Sequence, residues 1–225
     1  SAAFFPEHTA LILISVYLIG IFVAILSALL LKRTVFQGES VPFVLELPAY
    51  RIPSAKSVLL HMWEKAKDFL RKAFTIIFVA SIIIWFLQSF DFAFNFVEDS
   101  STSMLANIGT WISHIFAPLG FEDWRASTAL VTGITAKESV VSTLSVLTNT
   151  TSDAGLSVAL QTIFSPVSAF AFLCFTVLYM PCVAAFAATK RELGSMKQAL
   201  ATVAYQTGVA YVVALLVYQI GSLLF

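Results

Sequence analysis

Two short runs hold most of the side chains that could bind or move an ion. The first is Gly133-Ile-Thr-Ala-Lys-Glu-Ser-Val-Val-Ser-Thr, where Lys137 and Glu138 interrupt an apolar stretch. A charge at the bilayer centre costs at least about 2.5–3.5 kcal/mol on insertion scales, so charges placed there point to function. Glu138 offers a carboxylate to a cation, and Lys137 suits a carboxylate or a backbone carbonyl. Gly133, Thr135, Ser139, Ser142 and Thr143 are small or carry hydroxyls. Such residues let another backbone approach and satisfy the amides of a broken helix. Broken helices near the midplane are common in transporter sites. The competing reading is a solvated loop between two short helices.

The second run is Tyr179-Met-Pro-Cys-Val-Ala-Ala. Pro181 removes a backbone donor and frees a carbonyl one turn earlier, near Val177. The Cys182 thiol stands beside that break. A thiolate, the Met180 thioether and free carbonyls could together hold a borderline-soft divalent ion. Against this, a lone cysteine in a membrane helix usually behaves as a small apolar residue. Cys174 has no neighbouring break and reads as packing. On one helix the two cysteines would lie roughly 12 Å apart, too far for a disulfide. Glu46, in Glu-Leu-Pro-Ala-Tyr-Arg-Ile-Pro, reads either as a solvated acid paired with Arg51 or as a transient ion-exit carboxylate. His8, His61 and His114 form no cluster and read as structural or surface residues. No phosphate-binding loop or nucleophile elbow is present, so the chain is expected not to be an enzyme.

The elements that must position these residues are set by composition. Of 225 residues, 59% are apolar and 12% charged, and mean hydropathy is +0.88. Average soluble domains carry about 25% charged residues. A soluble enzyme, a disordered segment and a disulfide scaffold are excluded, and lipid is the solvent for most of the chain. Thirteen basic residues balance thirteen acidic ones, and no nucleic-acid partner is expected. The fold class expected is all-α: a polytopic membrane bundle of five or six spans, with broken or re-entrant helices and an interfacial amphipathic helix. The spans read as Thr9–Leu31, Ala73–Gln88, Ala126–Leu147, Pro166–Ala188 and Met196–Phe225. Met104–Leu119 is short for a crossing and stays ambiguous between a span and a re-entrant element. SAAFFPEHTA lacks the basic region of a signal peptide, and Ser1 reads as a cut end.

Eight of the basic residues fall in 32–72: Lys32, Arg33, Arg51, Lys56, Lys65, Lys67, Arg71 and Lys72. Basic residues mark the cytoplasmic side, so 32–72 is expected inside. Within it, 54–72 is patterned as an amphipathic helix lying in the interface, with Ser54 as its cap. Leu59, Met62, Trp63, Ala66, Phe69 and Leu70 share one face. Most Phe residues read as lipid-facing.

Six ordered motifs carry a family resemblance. They are Glu46-Leu-Pro-Ala-Tyr-Arg-Ile-Pro, His61-Met-Trp-Glu-Lys-Ala-Lys-Asp-Phe-Leu-Arg-Lys-Ala and Phe116-Ala-Pro-Leu-Gly-Phe-Glu-Asp-Trp-Arg-Ala-Ser. Gly133-Ile-Thr-Ala-Lys-Glu-Ser-Val-Val-Ser-Thr-Leu, Tyr179-Met-Pro-Cys-Val-Ala and Lys190-Arg-Glu-Leu-Gly-Ser complete the set. Over about residues 40–221 the sequence resembles the C-terminal membrane half of the ferrous iron transport protein B (FeoB) family. Ala49 stands where that family usually has a second proline.

The resemblance implies the membrane-embedded part of a ferrous iron importer in the cell's inner (plasma) membrane. Fe²⁺ is then the transported substrate. Cys182, Glu138, Met180 and Glu46 are the metal candidates. Gly133, Lys137, Ser139, Ser142 and Pro181 form the broken-helix, gating set. The layout implied is a first transmembrane helix over 1–33, a cytoplasmic and interfacial segment over 34–72, and a gate-type bundle over 73–225. GTP and Mg²⁺ belong to a cytoplasmic GTPase domain outside this chain, and no cofactor is expected within it. The expected partners are the lipid bilayer, that GTPase domain and a small cytoplasmic accessory protein of the same system. A homo-oligomer is compatible with this picture. The gate-type repeat is also similar to one in nucleoside permeases, which makes a nucleoside carrier the first alternative. A non-conducting scaffold that regulates a GTPase is the second.

Overall fold

In a computed structural model of the protein, the described residues are 3–35, 54–97, 100–148, 150, 152–180 and 182–224. Among them the chain forms nine α-helices, two 3-10 turns and no strand. Glu46 and Pro181 lie outside the described residues.

Helix α1 (Thr9–Thr34) runs without a charge until Lys32 and Arg33. Its 26 residues extend about 39 Å, enough to cross a bilayer. Only Val16 is buried, and Leu, Ile and Phe side chains cover the outside. Such a surface suits lipid, because the helix satisfies its own backbone and the side chains need no water. Helix α9 (Met196–Leu224) is the second helix long and apolar enough to cross a membrane. Helices α6 (Asp153–Ile163) and α7 (Pro166–Leu178) pass that test together, bent by 102° at the break between them. The coarse expectation of an all-helical membrane chain therefore holds.

Helix α2 (Ala55–Ser89) is one continuous element of 35 residues. The amphipathic stretch and the apolar stretch after it join without interruption, because no Gly or Pro falls between them. The Ser54 hydroxyl accepts the Ser57 amide at 3.3 Å and caps its start. Beyond its end, the Asp91 carboxylate accepts the Ala93 and Asn95 amides at 2.8 and 2.9 Å. These bonds, led by the Asn95 amide, hold the Asp91 carboxyl below its ordinary value.

The packed centre lies downstream. Helices α3 (Met104–Phe116) and α4 (Trp124–Thr132) pack closely at Gly109. A Cβ at Gly109 would stand 2.2 Å from Thr128 Oγ1 and 2.8 Å from the Trp124 carbonyl, so the approach requires glycine. At about 20 Å, α3 is too short to cross alone. Asp123 caps α4 by accepting the Arg125 amide at 2.7 Å, and the Arg125 guanidinium closes on the same carboxylate at 3.0 Å. Helix α5 (Ser139–Leu147) follows a break.

Ser165 and Ser168 exchange hydrogen bonds at the start of α7, with Pro166 in its first turn. Helices α8 (Val183–Leu193) and α9 close the bundle. Phe116, Phe121, Phe164, Phe172 and Phe175 fill the core, with Phe121 at 5.2 Å from Phe116 and 5.4 Å edge-on to Phe172. These five rings depart from the reading of Phe as mostly lipid-facing. They stack between helices because α7 presents an aromatic every three or four residues.

Candidate functional site

Two helix breaks meet at one place. The first separates α4 from α5. After Thr132 the chain turns tightly: the Ile134 amide bonds the Val131 carbonyl at 3.2 Å, and the Thr135 amide bonds Thr132 at 3.1 Å. Hydroxyls close the rest. Thr135 Oγ1 donates to the Thr132 carbonyl at 2.7 Å, and Ser139 Oγ donates to the Ala136 carbonyl at 2.5 Å and the Thr132 carbonyl at 3.3 Å. Thr132 Oγ1 donates to Ala129 at 2.9 Å and pairs with Thr143 Oγ1 at 2.8 Å. This break is stabilised by its own side chains, whose hydroxyls donate to carbonyls rather than accept from the freed amides.

The second break separates α7 from α8. The last bond of α7 is Tyr179 N–H to the Phe175 carbonyl, at 2.8 Å. Residue 181 is proline and has no amide to offer Val177. The orphaned carbonyls are taken from the other break. The Lys137 ammonium donates to Thr176 at 3.1 Å, Val177 at 2.9 Å and Tyr179 at 3.3 Å. It also lies 4.9 Å from the centroid of the Tyr179 ring. Charge-assisted bonds of this kind contribute about 1.5–3 kcal/mol each, and a cation suits the negative end of a helix dipole.

Two more bonds lock the crossing. Val183 N–H donates to the Ile134 carbonyl at 2.9 Å, so backbone joins backbone across the two breaks. Tyr179 Oη donates to the Leu130 carbonyl at 3.2 Å. Tyr179 is itself held by stacking on Phe175 at 5.4 Å. Gly133 makes the approach possible: a Cβ there would stand 2.6 Å from Tyr179 Oη and 2.4 Å from Val140 Cγ2.

The candidate residues are distributed around this crossing. Cys182 is half-buried at the N-cap position just before α8, with no capping bond from its side chain. Its neighbour Val183 bonds the Ile134 carbonyl at 2.9 Å, which sets Cys182 beside the first break. Glu138 stands at the N-cap position just before α5, exposed, and its side chain makes no hydrogen bond or ion pair to any described residue. Met180 is half-buried against the core. Ser142 is exposed and donates to the Ser139 carbonyl at 3.2 Å. Cys174 is buried in α7, and both cysteines are free. They lie on different elements rather than on one helix, because α7 ends between them. Among the described residues no three His, Cys, Asp or Glu side chains converge on a common point.

Sequence reasoning missed Tyr179 as the residue that ties the second break to α4. Its one signal was a hydroxyl at the apolar end of a helix, two residues before a proline. The sequence also allowed Lys137 a carbonyl partner without saying which one.

The family model for the ferrous iron transport protein B C terminus matches residues 13–65. The Gate family model, described as nucleoside recognition, matches residues 70–196. An Fe(2+) transporter FeoB from Staphylococcus aureus (strain COL) is 40% identical over 220 residues, covering 98% of this chain and 33% of its own. One from Methanocaldococcus jannaschii is 39% identical over 232 residues, covering 100% of this chain and 34% of its own. A Porphyromonas gingivalis protein named Fe(2+) transport protein A/Fe(2+) transporter FeoB fusion protein is 35% identical over 272 residues, covering 100% and 32%. The chain spans about a third of the length of these relatives. No solved structure matches it. The Gate match covers more than half of the sequence, so this chain, similar along nearly all of its length to Fe(2+) transporter FeoB proteins, belongs to the Gate family.

Proposed function

We propose that this chain forms the Fe²⁺ path of a ferrous iron importer, with the crossing of the two breaks as the place where the ion loses water. The observation that carries this is the joining of the Cys182 break to the Lys137–Glu138 break through Lys137 and the Val183–Ile134 bond. Cys182 and the α7 carbonyls supply one soft ligand and several oxygens. Exposed Glu138 receives the hydrated ion at the rim. Met180 offers a thioether behind Cys182, and Glu46 serves the exit. Fe²⁺ binds weakly in the divalent series, so so sparse a ligand set suits an ion that must leave again.

Five or six spans complete this reading. The apolar half of α2 crosses, and the α4–α5 and α7–α8 pairs each make a span broken near its middle. Segment 32–72 lies in the cytoplasm, where its basic residues face a GTP-binding domain that gates the path. A small accessory protein is supported by the P. gingivalis relative, whose name joins transport protein A to the transporter. Hydrolysis is assigned to that other domain and not to this chain. The nucleoside alternative has the description of the Gate family in its favour, whereas the relatives matched along the chain are named Fe(2+) transporters.

The test is Cys182→Ala in the intact transporter at equal membrane abundance. Fe²⁺ uptake is expected to fall at least about tenfold, the scale of a lost metal-site interaction. Unchanged uptake would remove Cys182 from the path and favour the scaffold reading.

A further inference from the structure

The geometry points to Lys137 as a tethered cation that occupies the seat of the transported ion and must leave before a metal can bind beside Cys182. This rests on the proposed ion path and deepens it. Three carbonyl oxygens, from Thr176, Val177 and Tyr179, surround the ammonium at 2.9–3.3 Å. The Tyr179 ring covers another side at 4.9 Å. Oxygens and a ring face arranged this way form a cation site, and the cation in it belongs to the protein. Val177 O is the carbonyl that residue 181, being proline, leaves without an amide. The oxygens released for a metal are therefore those that Lys137 holds.

A simple helix-end staple would need only to satisfy these carbonyls, and a neutral donor would serve. A positive charge does something more. It cannot share the seat with a divalent ion at contact distance, since the two repel in a poorly solvated place. Lys137 then keeps the seat filled while no metal is present, which leaves no bare carbonyls in the membrane. Metal entry and Lys137 departure become one exchange of cations, with the seat's charge never left uncompensated. The four-carbon stem lets the ammonium swing out without unwinding the break. Glu138, the next residue, is exposed and has no partner among the described residues, so a carboxylate stands near the exit of that swing.

The test uses the intact transporter in nanodiscs, with Co²⁺ as a redox-stable probe. Its thiolate charge-transfer absorption reports Cys182, and equilibrium dialysis repeats the titration with Fe²⁺. Lys137→Met and Lys137→Gln are expected to bind Co²⁺ at least about tenfold more tightly than the wild type, because no charge has to be expelled. Lys137→Arg keeps the charge and is expected to stay near wild-type affinity. Adding Cys182→Ala to Lys137→Gln is expected to abolish the absorption. Lys137→Gln carries the test if Lys137→Met fails to fold, since its amide still donates to the carbonyls. A Cys182-dependent signal whose affinity is the same or weaker in both neutral variants would overturn the tethered-cation role and leave the path intact. No Cys182-dependent signal in any variant would overturn the path itself, and this inference with it.

Discussion

The two breaks solve the same problem by opposite means. The break at 133–138 closes on itself, with Thr132, Thr135 and Ser139 hydroxyls bonding carbonyls within a few residues. The break at 179–182 closes on its neighbour, taking Lys137 and the Ile134 carbonyl from a segment about forty to fifty residues away in sequence. The first break relies mostly on its own hydroxyls and shares the Ile134 carbonyl with Val183, while the second depends on its neighbour. A segment whose bonds are local keeps its shape when its surroundings move. One whose carbonyls are satisfied by a long flexible side chain can release them. The rigid break is thus suited to hold the frame, and the dependent one, where Cys182 stands, is suited to change.

Predictions follow from that asymmetry in order of size. Gly133→Val forces side-chain atoms into Tyr179 Oη and Val140, which parts the two breaks. Overpacking there is expected to destabilise the protein by about 3 kcal/mol and abolish transport, read by thermal unfolding in detergent and by uptake. Wild-type stability in this variant would show that the crossing is looser than described.

Thr132→Val leaves buried Thr143 without its hydroxyl partner at the first break. A loss of about 1–2 kcal/mol is expected, with metal affinity at Cys182 unchanged. A selective fall in metal affinity would mean that the first break is not held mostly by its own hydroxyls.

Tyr179→Phe removes the bond to the Leu130 carbonyl and keeps the ring on Phe175. About 1 kcal/mol is expected, together with faster hydrogen exchange confined to 176–184. Exchange that rises equally over 130–140 would erase the contrast between the breaks. Ser139→Ala is expected to be smallest, at about 0.5–1 kcal/mol, because the tight turn keeps its backbone bonds without the hydroxyl.

Much of this was legible in the residue order. Lys137 and Glu138 inside an apolar run, and a proline beside Cys182, fall where α4 gives way to α5 and α7 to α8. The apolar stretch from Thr9 located α1, because a long uncharged run has one use in a membrane. The content of 148–165 is harder: α6 mixes small, polar and apolar residues and falls between two expected spans. Composition divides α2 into two segments, because the change at 72–73 resembles a boundary while nothing there stops a helix. Least legible was the crossing itself. That Lys137 would reach Thr176, Val177 and Tyr179, and that Tyr179 would reach Leu130, depends on packing across α4 and α7, which periodicity along either helix does not encode.

In the proposed path, Cys182 and the oxygens beside it hold the iron. Iron X-ray absorption of the intact transporter, loaded anaerobically with Fe²⁺, reads that directly. One sulfur neighbour in an otherwise oxygen shell is expected, lost in Cys182→Ala. An oxygen and nitrogen shell that is the same in both proteins would contradict it.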